Sequence, residues 1–326
     1  MFYEIARFPE QLIRALRGSR LTIQGKTHVV RDILYLPIQD EDWERIRRYS
    51  ENRADGAAEI SGYWTDRRDE FTYIYSIEQR VLAISGYFAS GYIGQFVDGP
   101  AQGLGKPPET DVQKSIFHAF MERDGPLIRS WYPLLPSLVD HYDLFKNLDA
   151  ARTIVNHATS VNDSGLTVLE IGAGGCLLPM FLRGLTKIRR HDVVDLDFVI
   201  PFGFAMLRSF APGISVALPG EPTEDASVRF NDNNNLAFDE AGHDVAVNIT
   251  SFGEMTQGNV SEYFALVAHA LRSGGIFTCI NRNAKVTRFD SYPWHSITGD
   301  VLVDEVDPTS GYHDPDPIFR RIVRKH

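Results

Sequence analysis

The chain has 326 residues, of which 43% are hydrophobic and 23% are charged, with a formal net charge of −10. This is the composition of a globular protein long enough for two domains, and the acidic balance argues against a general nucleic-acid binder, which needs a broad basic face. The two cysteines, Cys176 and Cys279, are too few for a disulfide framework and lack zinc-ligand spacing, so both are expected to be buried.

The N-terminal residues predict neither export nor membrane insertion. Charged side chains interrupt this segment at Glu4, Arg7, Glu10, Arg14 and Arg17. No apolar run approaches the roughly 20 residues that a membrane span requires. A cytoplasmic protein is therefore expected.

Residues 1–155 are predicted to form a mainly helical domain that covers the substrate. Hydrophobic periodicity predicts helices over 9–18, 40–54, 78–85 and 111–123. Residues 21–30 alternate as a hairpin does. Residues 86–108 are rich in glycine and aromatic residues and predict a loop.

Residues 156–326 are predicted to form a Rossmann-like α/β domain. Strands and helices alternate there, which is typical of a parallel, doubly wound sheet. The predicted strands cover 167–171, 192–196, either 214–218 or 227–230, 244–250 and 275–281, and 260–272 is predicted to be a helix.

A glycine turn follows the first of these strands. The strand residue Glu170 leads into Gly172, Ala173, Gly174 and Gly175, and a helix is predicted over 176–185. Because glycine has no Cβ, such a turn lets a small ligand approach the backbone. The turn is therefore the first candidate cofactor-binding element.

An acidic residue at the end of the second strand is suited to bind a nucleoside, because a carboxylate accepts both ribose hydroxyls. Asp195, followed by Leu196, fits better than Asp197 because it ends the apolar run. The spacing also suits an NAD(P)-dependent oxidoreductase. That alternative is disfavoured because Leu177 stands where a third glycine is expected and no Tyr-x-x-x-Lys pair follows the turn.

The pattern Glu-x-Gly-x-Gly-Gly at 170–175 resembles the first motif of class I S-adenosylmethionine-dependent methyltransferases. Within that class, three segments resemble the sugar O-methyltransferase family over about residues 160–300. They are Asn-x-x-Ser-Phe-x-Glu-Met at 248–255, Val-Asp-Leu at 194–196, and Asn-Arg at 281–282 followed by Tyr-Pro-Trp at 292–294. In the family the residue after Val-Asp-Leu is proline, where this chain has Asp197.

The resemblance implies transfer of a methyl group from S-adenosylmethionine to a hydroxyl of a sugar or glycosylated small molecule. The predicted cofactor-binding residues are therefore those of the glycine turn with Glu170, the strand-end pair Asp195 and Leu196, and Asn248 and Thr250. Asn231 and Asp232 are predicted to contact the adenine. The fold implies a final antiparallel strand over 317–324. No metal-ligand set is evident, a homo-oligomer is possible, and a non-catalytic S-adenosylmethionine-binding protein stays an open alternative.

Methyl transfer to a sugar hydroxyl needs a base, because the hydroxyl is a very weak acid. The candidate bases are Glu254 and His295, with His295 slightly ahead because an ordinary imidazole titrates near neutrality. His141 and Tyr142 are third choices. The aromatic candidates to stack on a sugar are Trp64, Tyr92, Trp131 and Trp294.

Overall fold

The computed structural model of the chain describes residues 2–5, 19–23, 26–30, 33–52, 61–68, 71–85, 111–135, 139, 141–159, 164–233, 236, 238–283, 286–308, 310 and 317–326. It splits into two compact units. Unit 1 comprises Met1–Arg53, Asp66–Phe145 and Pro201–Pro212, and unit 2 comprises Ala54–Thr65, Lys146–Ile200 and Gly213–His326. The units interleave along the chain, and a functional boundary near residue 155 stays a prediction.

Unit 1 contains a four-stranded sheet in the order β1-β5-β6-β4 and a separate β2-β3 hairpin. The strands are β1 (Phe2–Ile5), β2 (Ser19–Ile23), β3 (Lys26–Val30), β4 (Ile33–Pro37), β5 (Thr72–Ser76) and β6 (Val81–Ser85). The hairpin confirms the prediction for 21–30. The helix predicted over 78–85 is wrong, because Val81–Ser85 pairs with β4 and β5 as a buried strand.

The described helices of the N-terminal half differ in length from the predicted ones: the helix predicted over 40–54 ends at Asn52, and the one predicted over 111–123 continues to Trp131. They are α1 (Asp40–Asn52), α2 (Gly62–Arg68), α3 (Asp111–Trp131) and α4 (His141–His157). The predicted helix over 111–123 continues through Pro126. Among the described residues of this half, more lie in helices than in strands, yet the sheet of unit 1 makes it a mixed structure. The predictions for 9–18 and 86–108 lie outside the described residues.

Unit 2 is built on an eight-stranded sheet in the order β13-β14-β12-β11-β7-β8-β10-β9. The strands are β7 (Leu166–Ile171), β8 (Ile188–Asp195), β9 (Val216–Ala217), β10 (Val228–Asp232), β11 (His243–Ile249), β12 (Leu271–Arg282), β13 (Gly299–Val306) and β14 (Ile318–Lys325). All neighbouring pairs are parallel except those of β14, which runs antiparallel to β12 and β13. This arrangement confirms the predicted Rossmann-like α/β sheet and its final antiparallel strand.

The helices associated with this half of the chain are α5 (Leu177–Leu185), α6 (Ile200–Phe210) and α7 (Gln257–Ala270). Thr256 caps α7, because its hydroxyl accepts the backbone N–H of Asn259. Most of α6 belongs to unit 1, where Arg208 donates to Asp42 of α1 at 2.9 Å. No helix among the described residues is long and apolar enough to cross a membrane.

The central strands β7 and β11 of the large sheet are buried on both faces, as their mostly apolar residues require. On one face Phe277 of β12 packs against Phe264 of α7 in an aromatic cluster that includes Phe252 and Tyr292. On the other face, the Arg320 guanidinium of β14 donates to Thr153 and Asp149 of α4 and to Asp307. Cys176 and Cys279 are buried free thiols, as predicted.

Candidate cofactor site

The carboxyl ends of β11, β7, β8 and β10 lie side by side in the sheet. Strands that follow β7 in the chain lie on both of its sides, with β8 on one and β11 on the other, so the order reverses next to β7. In parallel α/β sheets the ligand crevice lies at such a reversal, outside the carboxyl ends of the strands. The glycine turn after β7 therefore occupies the expected binding position.

The glycine turn has a backbone that side chains would obstruct. Gly172 and Gly174 have φ angles of 72° and 53°, in the left-handed region that favours glycine. A Cβ on Gly172 would collide with the side chain of Ser251. Cys176 also has a positive φ, of 54°, immediately before α5. The turn is thus held close to the loop that follows β11.

Asp195 ends β8 and binds the glycine turn directly. One carboxylate oxygen, Oδ2, accepts the N–H of Gly174 at 2.8 Å, and Oδ1 accepts the N–H of Leu196 at 2.8 Å. Each carboxylate oxygen can accept a second hydrogen bond. Asp195 therefore has acceptor capacity for two ribose hydroxyls while it continues to hold the turn.

The environment of Asp195 disfavours its charged form. Burial raises the pKa of Asp195 to about 7, and the negative charges of Glu170 and Glu254 act in the same direction. The two backbone N–H groups oppose this increase because they stabilise the carboxylate. The carboxylate is consequently close to half ionised at neutral pH before any ligand binds.

Glu170 does not reach into the crevice. Its side chain is buried, and its Oε2 lies 2.8 Å from Nε2 of the buried His191 on β8. The motif glutamate is therefore part of the interior of the sheet, beneath the turn.

Asn231 and Asp232 end β10, the strand beside β8. Asp232 lies opposite Asp195 in the parallel register. The side-chain amide of Asn231 donates to the carbonyls of Arg229 and Val193 at 3.2 and 3.4 Å. Both residues thus lie at the carboxyl edge, and their contact with an adenine stays a prediction.

Asn248 organises the loop after β11. Its Nδ2 donates to the carbonyl of Ile171 at 2.8 Å and to Oγ of Ser251, and its Oδ1 accepts Nδ2 of Asn281 at 2.7 Å. Asn281 in turn accepts the N–H of Gly253 at 3.3 Å. The amide of Asn248 is thus committed to shaping the site, which supports an indirect role in binding.

Thr250 is conformationally strained at the strand end. Its φ of 61° is rare for a β-branched residue, and such strain is concentrated at functional sites. Its hydroxyl accepts Nζ of Lys146, on α4, at 3.5 Å. Lys146 thereby brings a cation to the same edge.

Glu254 lies in a short 3-10 turn, Phe252–Glu254, that follows the same loop. Its backbone N–H donates to the carbonyl of Ser251 at 3.0 Å, and its own carbonyl accepts the Ser61 hydroxyl at 2.6 Å. The side chain is 9% exposed, and its charge contributes to the raised pKa of Asp195. Glu254 therefore lies at the carboxyl edge, as a base would require.

His295 lies elsewhere. It is an exposed residue of the 3-10 turn Trp294–Ser296, and β13 begins shortly afterwards at Gly299. Gly299 pairs with Lys325, at the end of β14 that adjoins the start of β12. The chain has therefore returned towards the amino edge of the sheet at this point. This position does not support His295 as the base.

Several contacts of the site could not be read from the sequence motifs. The Glu254 carbonyl contacts Ser61, which lies 193 residues away in the chain. Thr250 contacts Lys146, 104 residues away, and Glu170 contacts His191, 21 residues away. The only signal available for His191 is its position as a polar residue within an apolar strand. Trp64 and Trp294 pack against Phe198 and Phe264.

Among the described residues, no cluster of three or more His, Cys, Asp or Glu side chains is arranged to hold a metal ion. The residues at the carboxyl edge fit a nucleoside cofactor better. They combine a glycine turn in the left-handed backbone region with a strand-end carboxylate that retains acceptor capacity.

No protein-family model and no curated protein matches this chain. Solved structures that resemble it include a geranyl diphosphate methyltransferase in complex with S-adenosylmethionine, with a TM-score of 0.44, 13% identity, and coverage of 72% of this chain and 98% of that chain. A 1,6-didemethyltoxoflavin-N1-methyltransferase from Burkholderia thailandensis gives a TM-score of 0.40 and 14% identity over 70% of this chain and 93% of that chain. A TehB-like S-adenosylmethionine-dependent methyltransferase from Corynebacterium glutamicum gives a TM-score of 0.41 and 13% identity over 65% of this chain and 100% of that chain.

Proposed function

We propose that the protein is an S-adenosylmethionine-dependent O-methyltransferase that acts on a hydroxyl of a sugar or glycosylated small molecule. The observation that carries the cofactor assignment is the Asp195 carboxylate, which holds the glycine turn and keeps acceptor capacity at the carboxyl edge. The acceptor class rests on the sequence segments at 194–196, 248–255 and 281–294.

S-Adenosylmethionine, when bound, supplies a methyl group that is already activated by the positive sulfonium. The protein must then orient the acceptor and remove its proton as the oxygen attacks. We assign proton removal to Glu254, because its backbone is fixed by Ser61 and Ser251 at the carboxyl edge. Thr250 and its partner Lys146 also lie at the carboxyl edge of the sheet.

Calorimetric titration with S-adenosylhomocysteine, and separately with NAD, tests the cofactor assignment. We expect micromolar binding of S-adenosylhomocysteine and no binding of NAD. Asp195→Ala should lose this binding, and the control Asp300→Asn should retain it. Asp300 is an exposed residue of β13. Preferential binding of NAD would revive the oxidoreductase alternative and contradict the proposal.

A turnover assay with a panel of sugars and glycosides tests the reaction. We expect Glu254→Gln to abolish methyl transfer while S-adenosylhomocysteine still binds, and His295→Ala to retain the activity of the unmodified protein. Cofactor binding without turnover on any acceptor would instead favour a non-catalytic S-adenosylmethionine-binding protein. Near-normal turnover in Glu254→Gln would remove Glu254 as the base.

A further inference from the structure

A buried acid–imidazole pair lies beneath the candidate cofactor site. Oε2 of Glu170 is 2.8 Å from Nε2 of His191, and the two residues are 3% and 0% exposed. Glu170 lies opposite Val193 in the register of β7 and β8. Because alternate residues of a strand share a face, His191, Val193 and Asp195 follow one another on the same face of β8.

The other imidazole nitrogen defines which partner donates. Nδ1 of His191 is buried and has no hydrogen-bond partner among the residues that the structure describes. If Nε2 accepted a proton from Glu170, the neutral ring would carry its hydrogen on Nδ1 and bury an unsatisfied donor. Orphaned buried N–H groups are rarer than orphaned acceptors. The geometry therefore favours an Nε2–H that donates to an ionised Glu170.

We propose that His191 is a positioning residue of the cofactor site, which keeps the Glu170 carboxylate charged and fixed beneath the glycine turn. Glu170 shares this face of the sheet with Asp195, so the charge of the pair acts on the carboxylate that holds Gly174. The inference deepens the proposed function and rests on it only for the identity of the ligand.

The charged and titratable groups around Asp195 come from five elements. They are Glu170 on β7, Asp232 on β10, Glu254 in the turn after β11, Cys176 at the start of α5 and Tyr263 on α7. The pKa values of Cys176 and Tyr263 are raised, chiefly by burial, so both are neutral around pH 7. Glu170, Glu254 and Asp232 are consequently the carboxyl groups that neighbour Asp195, and His191 contacts the first of them.

The sheet offers a matched control pair. Nε2 of His243 lies 2.7 Å from Oδ2 of Asp192, and its Nδ1 is likewise buried without a partner among the described residues. His243 begins β11, at the opposite edge of the sheet from the glycine turn. A substitution there removes a comparable buried imidazole without touching Glu170.

The experiment follows the amide chemical shift of Gly174 against pH by NMR, in the full-length protein without ligand. Because this N–H donates to Asp195, its shift reports the ionisation of that carboxylate. We expect a midpoint at about pH 7 in the unmodified protein. Glu170→Gln, which removes the charge, should lower the midpoint by about one pH unit.

His191→Leu should lower the midpoint as Glu170→Gln does, because the buried Glu170 carboxylate loses the hydrogen-bond donor that stabilises its charge. His191→Gln can still donate an N–H and should restore a midpoint near that of the unmodified protein. The double variant Glu170→Gln/His191→Leu should move it no further than Glu170→Gln alone. His243→Gln and His243→Leu should leave it unchanged.

The proposal is overturned if Gly174 shows no titration, if Glu170→Gln leaves the midpoint in place, or if His191→Gln shifts it as far as His191→Leu. A purely structural His191 would lower the melting temperature without moving the midpoint. If His191→Leu does not fold, the Gly174 midpoints of Glu170→Gln and His191→Gln still test the proposal. Titration of the same proteins with S-adenosylhomocysteine tests the ligand separately, since its failure would remove the proposed function and leave the Gly174 result standing.

Discussion

Under the proposed function, the Asp195 carboxylate accepts hydrogen bonds from the backbone and from the ligand at once, which would couple ligand binding to pH. Protonation removes acceptor capacity, and the pKa of Asp195 is about 7 in the free protein. We therefore expect the affinity for S-adenosylhomocysteine to increase as the pH rises from about 6 to 8. Calorimetry across this range measures the trend, and affinity independent of pH would contradict it.

The same residue predicts a change in stability. Its pKa is 3.8 in the unfolded reference and about 7 in the folded protein, so its contribution to stability is fully present below about pH 4 and is lost as the pH rises to about 7. Asp195→Asn removes this loss. The melting temperature of the variant minus that of the unmodified protein should therefore increase from pH 4 to pH 8. A constant difference would show that the fold does not raise this pKa.

Gly172 is required by both backbone angle and space. Gly172→Ala places a Cβ against the side chain of Ser251 at a φ of 72°, and we expect lower thermal stability and weaker binding of S-adenosylhomocysteine. Adding Ser251→Gly should restore part of the loss by relieving the collision, while the strain of roughly 1 to 2 kcal/mol remains. Gly213→Ala is the control, because its added Cβ meets nothing within 4 Å. Equal behaviour of the two alanine variants would refute this account.

At the residue scale the sequence predicts best where local chemistry and strand position coincide. Asp195 was identifiable because it ends an apolar run, and the structure places it on the turn. His295 directly follows the Tyr-Pro-Trp segment at 292–294, but at this point the chain has returned towards the amino edge of the sheet. Ser61 and Lys146 contact the site through tertiary packing, for which one sequence contains no local signal.

At the scale of elements, Arg320 joins β14 to α4. Arg320 is 5% exposed, and its side chain contacts Thr153, Asp149 and Asp307, of which Asp307 is almost fully buried. Arg320→Ala removes the cation from a buried ion pair, and we expect the free energy of unfolding to fall by about 3 to 5 kcal/mol. Thermal unfolding should show a correspondingly large decrease in melting temperature. Arg288→Ala, which breaks the exposed pair with Asp290, should change it little.

The strands differ in how strongly the sequence predicts them. The residues of β7 are all buried and mostly apolar, and they lead into glycine, which is a strong strand signal. Residues 81–84 are also apolar, but a short apolar run does not distinguish a helix from a strand. The edge strand β13 is interrupted by Asp300, Asp304 and Glu305 and was not predicted.

At the scale of the whole molecule, the units predict that residues 156–326 do not fold alone. This fragment lacks Asp149 and Thr153, which bind Arg320, and Ser61, which binds the Glu254 carbonyl. We expect no cooperative thermal transition and no binding of S-adenosylhomocysteine. A fragment that melts cooperatively and binds would support the predicted boundary at 155. The cytoplasmic location and the possible homo-oligomer stay predictions.

The position of β14 has a consequence for how the protein assembles. Among the described strands, β13 pairs with β14 alone, although β13 comes first in the chain. The outer strand therefore cannot join the sheet in the order in which it is synthesised and must wait for a later segment to insert beside β12. Until that insertion, the flank of β12 is an open template for strands of other molecules. Refolding yield should then depend on protein concentration until this last pairing is complete.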